Sequence, residues 1–220
     1  MWKVISRSDF RRNFMTTIID HNKLLTKIAK ARFKQTSIRQ KGQSRMFLQD
    51  NFWYTTLIEF QPSGYDKGTF LNIGVDFNFY PRDHFTFSFG NREKEFIKFE
   101  SQAQFENAVN SLCELTLKRT SEIQSQLATY SNATATLKKT FNPTNSWQNF
   151  DLGIITALSG DKTNAKILLE KVISGNCGYE WEKDRKEFTV KLLDWLNSDS
   201  FNNKINEEII LTRKLKKLDK

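Results

Sequence analysis

The sequence predicts an α+β protein, and three observations carry that prediction. Apolar residues alternate with a period of two between Phe33 and Phe99, the segments on either side repeat them every three or four positions, and the alternating segments are joined by short turns. Short turns between successive strands dictate an antiparallel meander, because parallel neighbours need long crossovers. The expected build is an N-terminal helix packed on an antiparallel meander sheet of four to six strands, followed by a long helix and a C-terminal helical subdomain. Residues 1–130 are expected to form the α+β domain, 131–146 a polar linker or loop, and 147–220 the helical subdomain.

The first helix is expected to start at an N-cap, Ser8, and to bury Phe10, Phe14, Ile18, Leu25 and Ile28 before ending near Arg32. His21 lies beside that stripe, where a core-edge histidine is the plain reading. Thr69–Tyr80 is the clearest strand: Leu71, Ile73, Val75, Phe77 and Phe79 point one way, and Asn72, Gly74, Asp76 and Asn78 the other. Trp53–Gln61 precedes it across a Pro62-Ser63-Gly64 turn, and Phe85, Phe87 and Phe89 follow a Pro81-Arg82-Asp83 turn. Glu95–Phe99 is expected to be the last strand, and segments near Ile38 and Met46–Leu48, split by Lys41-Gly42, the first ones. Ser101 then caps the long helix, with Gln104 placed for a capping box. Beyond the polar stretch, helices are expected over Trp147–Leu158, Lys162–Ile173, Lys183–Leu196 and Phe201–Leu218. No fixed period repeats, so a solenoid is not supported.

Composition narrows the function classes. The formal charge is +9, yet residues 1–50 hold 12 Lys and Arg against 3 acids, and the other 170 hold 22 of each sign, so the whole excess is N-terminal. Twelve of the 19 Phe fall between Phe47 and Phe105, which assigns the aromatic excess to the sheet and the helix after it. Cys113 and Cys177 are too few for a disulfide framework or a cysteine-based zinc site, and a reducing cytoplasm is the simplest compartment. No run approaches the roughly 18 apolar residues of a membrane span. Asp9 and Asp20 interrupt what would otherwise resemble an organellar presequence.

The densest charge run is Lys27, Lys30, Arg32, Lys34, Arg39, Lys41 and Arg45, with no acid among them. Phosphate backbones reward such a run through counterion release, so nucleic acid and an acidic protein are both candidate partners. Enzyme signatures are weaker. No phosphate-binding Gly-rich loop, paired metal-spaced histidines or nucleophile elbow occurs. One constellation remains: if the sheet is covered on one face only, Glu59, Asn72, Asp76, Asn78 and His84 share the open face, where carboxylates and a histidine could hold a metal for hydrolysis. Set against this, polar residues on an antiparallel sheet ordinarily just face water.

Phe33-Lys34, the Lys41-Gly42 turn with Met46-Phe47-Leu48, Ile58-Glu59-Phe60-Gln61 and Phe70-Leu71-Asn72-Ile73-Gly74-Val75 together resemble the bacterial domain of unknown function 4304 family over roughly residues 10–90. Ala31-Arg32 stands where that family has a glycine before the Phe-Lys element. The resemblance implies a fold and a bacterial origin, with no catalytic site to transfer. It also implies an association with bacterial conflict genes, as an immunity or defence accessory. A nuclease immunity protein is expected to be acidic, so the basic balance here points to an acidic or non-nuclease toxin. The function expected from the sequence is a non-enzymatic protein-interaction module without cofactor, metal or membrane association. Nucleic-acid binding through Lys27–Arg45 is the alternative, and a metal-dependent hydrolase on the open sheet face the second alternative.

Overall fold

Helix α1 (His21–Phe33) begins where the Asp20 carboxylate accepts the backbone N–H groups of Asn22 and Lys23, in a computed structural model that describes residues 20–175 and 178–218. The Ser8 cap, the stripe residues Phe10, Phe14 and Ile18, and Cys177 lie outside the described residues. Within α1 the buried stripe is Leu25, Ala29 and Phe33, with Ile28 half-buried. His21 packs its ring on Phe99 and Phe105, at centroid distances of 5.8 and 6.2 Å.

Five strands follow: β1 (Ile38–Gln40), β2 (Met46–Asp50), β3 (Tyr54–Glu59), β4 (Gly68–Phe77) and β5 (Phe89–Lys98). They pair antiparallel in chain order, which is the expected meander. The last part differs in detail from the expectation. Phe85 and Phe87 lie in an irregular segment, and pairing with β4 starts where Ser88 N–H donates to the Val75 carbonyl at 2.8 Å and continues as one strand through Glu95 to Lys98. The reason is a close approach at the Gly74–Gly90 pair. Gly90 sits at φ +133°, and Phe87 folds over Gly74, where a side chain would stand 2.5 Å from its ring. The outer strand β5 carries Arg92, Glu93, Lys94, Glu95 and Lys98, charges that discourage edge-to-edge pairing.

Ser101 caps α2 (Gln102–Gln126), accepting from Gln104 N–H. The Gln104 side chain reaches back one residue further than a capping box, to Glu100 N–H, and donates to the Lys98 carbonyl. The stretch expected as a polar linker or loop, 131–146, is largely helical: α3 (Tyr130–Thr140) is capped by Thr129 and buries Ala133, Thr134 and Leu137. Its polarity conceals an apolar pair at helical spacing, Ala133 and Leu137, which tertiary packing completes. The C-terminal helices are α4 (Ser146–Leu158), α5 (Lys162–Ser174), α6 (Glu180–Leu196) and α7 (Phe201–Leu215).

One apolar cluster runs from Leu25 and Phe33 through Ile58, Ile73 and Phe105 to Phe150, Leu192 and Ile209, so the sheet and the C-terminal helices share a core. Phe33 stacks edge-on to Phe47, and Phe47 to Phe60, while Trp53 lies over Phe77 and Phe79. These contacts place the phenylalanine excess inside the sheet layer. At the far end of the chain, α7 latches onto the sheet: Arg213 pairs with Asp50 at 2.5 Å, and Lys216 pairs with Asp76 at 2.7 Å. No helix among the described residues is long and apolar enough to cross a membrane.

Candidate functional site

The seven basic residues of the Lys27–Arg45 run do not form one surface. Arg32 pairs with Glu114 on α2 at 3.1 Å. Arg39 turns back on its own backbone, donating to the carbonyls of Thr36 and Ile38. Arg45 is half-buried and donates to Asn22 and to the Gly68 carbonyl, and burial draws its guanidinium down to about 10 against the opposing pull of Glu59. Lys41 stands over the Phe85 ring at 4.4 Å. The remaining three, Lys27, Lys30 and Lys34, join Lys23 in a row.

That row follows from helix geometry. Spacings of four, three and four residues at 100° per residue keep Lys23, Lys27, Lys30 and Lys34 within about 60° of one another, over about 16 Å of axis. All four are exposed, on the side of α1 opposite Leu25, Ala29 and Phe33, and none forms an ion pair among the described residues.

The open-face polar patch requires a correction. Asp76 and Asn78 are completely buried rather than facing water, because the end of α7 and the segment after β4 cover that part of the face. Asp76 accepts from Lys216, Arg82 and Thr86, and Asn78 accepts from Lys216 and donates to the Phe52 carbonyl. Glu59 and Asn72 are half-buried and bond to each other at 2.9 Å, with Gln61 and Arg92 joined to Asn72. His84 is exposed and sits beside Asp83. The five residues are thus divided among three environments. No group of three His, Cys, Asp or Glu side chains that could hold a metal ion converges among the described residues. Cys113 is buried, and burial raises its thiol to about 12, which leaves it protonated and unreactive at neutral pH.

The buried half of that patch belongs to a larger ionic cluster that was not assembled from the sequence. Arg82, read there as a turn residue, reaches Asp76 from the Pro81 turn. Asp151 on α4 and Arg185 on α6 lie in the same electrostatic neighbourhood, and both are almost wholly buried. Burial pushes the Asp151 carboxyl up to about 7 against the pull of Arg82 and Arg185, and draws Lys216 down to about 8 against the pull of Asp76. Arg185 lies against the face of Trp147, its guanidinium carbon 3.0 Å from the ring centroid, with Trp181 at 4.9 Å. A cavity of about 400 Å³ opens beside these groups, bounded by Tyr80, Arg82, His84, Phe87, Trp181 and Arg185.

A signal for these residues does exist in the sequence. Arg185 occupies the stripe Arg185, Phe188, Thr189, Leu192, Leu196, and Lys216 ends the stripe Phe201, Ile205, Ile209, Thr212. A charge at a position where periodicity demands an apolar side chain marks a buried partner elsewhere.

Compared with models of known protein families, with curated proteins and with solved structures, the chain matches none.

Proposed function

We propose that the protein is a non-enzymatic interaction module that docks an acidic partner protein on the lysine face of α1. The observation that supports this reading is the row Lys23, Lys27, Lys30 and Lys34, four exposed ammonium groups on one line, none of them in an ion pair among the described residues. The other members of the basic run are occupied within the fold, so the footprint is one narrow row. Such a row complements a single acidic helix or strand. A duplex rewards a broader basic face, and no exposed ring or base-reading amide is interleaved with these lysines. Membership of the domain of unknown function 4304 family belongs to the same proposal, resting on the motifs between residues 10 and 90, and it supplies no activity.

The test is co-purification from native cells with the full chain and with its Lys27→Glu/Lys30→Glu variant, followed by reconstitution of the identified partner from purified components. The expected result is an acidic protein whose affinity falls with added salt and drops at least about tenfold in the variant. Nonspecific duplex and single-stranded nucleic acids are titrated in parallel. Salt-dependent binding to them that is lost in the same variant, with no protein partner found, would replace this reading by the nucleic-acid one.

A further inference from the structure

The cavity between the post-β4 segment and α6 has the chemistry of a ligand site, and it is separate from α1. Its floor is cationic. Arg185 is 2% exposed, and its Nε and Nη2 have no hydrogen-bond partner; Arg82 is 7% exposed, and its Nε is likewise unpartnered. Guanidinium N–H groups removed from water without an acceptor are costly, and native proteins seldom leave them so unless something else fills the place. The wider cluster sharpens the point. Two carboxylates, Asp76 and Asp151, face three cations, Arg82, Arg185 and Lys216, and Asp76 is already shared by Lys216 and Arg82. Among the fully buried groups the charge is therefore positive in balance, half-buried Glu182 being a further carboxylate that acts on Arg185, and an anion entering from the cavity would discharge it.

The walls are aromatic. Trp147 is covered by the guanidinium groups of Arg185 and Arg82; Trp181, which also meets Arg185 and stacks with Tyr179, still keeps half of its surface exposed, and Phe87 nearly half, beside the cavity. Exposed rings of this size next to buried arginines are unusual on a surface with nothing to bind. His84 stands at the rim, exposed, where a further donor can reach an anion. A volume of about 400 Å³ suits a ligand of mononucleotide size and is too small for a folded chain segment.

We infer that this cavity binds a planar aromatic anion, a 5′-mononucleotide, with its phosphate on Arg82 and Arg185 and its base against Trp181 and Phe87. Arginine forks match phosphate oxygens in two-point geometry, and a flat ring stacks on an indole with little regard for base identity.

The experiment is calorimetric titration of the full chain with AMP, GMP, CMP and UMP, with adenosine and inorganic phosphate as the separate halves, and with Trp fluorescence as a second readout. The expected result is one-to-one saturation by at least one mononucleotide, about tenfold or more tighter than by adenosine or phosphate alone. Trp181→Ala, at an exposed position that leaves the melting temperature near that of the wild type, should weaken binding by about tenfold. Arg185→Lys should weaken it further; if that buried substitution unfolds the chain, Trp181→Ala and His84→Ala decide. Lys27→Glu/Lys30→Glu should bind the mononucleotide as the wild type does, which separates this site from the α1 surface. Absence of saturation by every mononucleotide up to about 1 mM, phosphate binding as tightly as the nucleotide, or unchanged affinity in Trp181→Ala would each overturn the inference.

Discussion

Lys216, one residue beyond the end of α7, places its ammonium 2.7 Å from Oδ2 of Asp76 near the C-terminal end of β4, 140 positions earlier in the chain. Neither side chain touches solvent. The same carboxylate also receives Arg82, so it is the common acceptor of two buried cations. Removing the acceptor is therefore worse than removing one donor. Asp76→Ala should cost about 3–5 kcal/mol, since it takes the shared carboxylate from two buried cations, whereas Lys216→Met leaves Asp76 with Arg82 and should cost less. Urea unfolding of the two variants measures the difference, and equal losses would show that Arg82 does not share the carboxylate.

The contrast between those residues also shows what the sequence made legible. The strand carrying Asp76 was readable because Leu71, Ile73, Val75 and Phe77 alternate, and the meander followed from the short turns. Alternation implies a second face, but it cannot say what covers that face. Here α7 does, from a segment whose helical period is local and whose destination is a tertiary contact. The helical stretch Tyr130–Thr140 was missed for a related reason: Ser, Asn and Thr favour turns in isolation, and only Ala133 and Leu137 meeting the core tip the balance. The lysine row on α1 was partly visible, since Lys27, Lys30 and Lys34 are neighbours in sequence; the withdrawal of Arg32, Arg39 and Arg45 into internal bonds was not.

The cap of α2 offers a local test. Ser101 Oγ accepts from Gln104 N–H at 3.3 Å, and no acidic residue occupies the first turn to take over the role. Ser101→Ala should destabilise the protein by about 1 kcal/mol, and Ser101→Asp should restore or exceed the original stability through its interaction with the helix N-terminus. Thermal unfolding of both variants checks the order, and a neutral Ser101→Ala would mean that Gln104, bonded to Glu100 N–H and the Lys98 carbonyl, holds this end unaided.

Gly74 is a packing requirement rather than a turn. A Cβ there would lie 2.5 Å from Phe87 Cδ1 and 2.7 Å from the Phe89 carbonyl oxygen. Gly74→Ala should cost about 1–3 kcal/mol through overpacking. Adding Phe87→Ala should recover part of that loss, because the ring can be removed while the Phe89 carbonyl stays. A double-mutant cycle by denaturant unfolding yields the coupling, and strictly additive effects would disprove the contact as the cause.

Asp151 should give the molecule a distinctive pH dependence. Its carboxyl is wholly buried between α4 and its neighbours, with Arg82 and Arg185 pulling it down, Asp76 pushing it up, and burial dominating, so that it is raised to about 7 from an ordinary 3.8. Between those two values the folded chain holds a proton that the unfolded chain has released. The stability this proton confers is fully present below the unfolded value and is lost as pH rises through about 7, at up to about 1.4 kcal/mol per pH unit. Asp151→Asn, which keeps the shape and cannot ionise, should remove that slope. Urea midpoints compared from pH 4.5 to 7.5 should therefore show the variant gaining on the wild type as pH rises and the gap levelling off above neutrality; parallel curves would mean that Arg82 and Arg185 keep Asp151 ionised throughout.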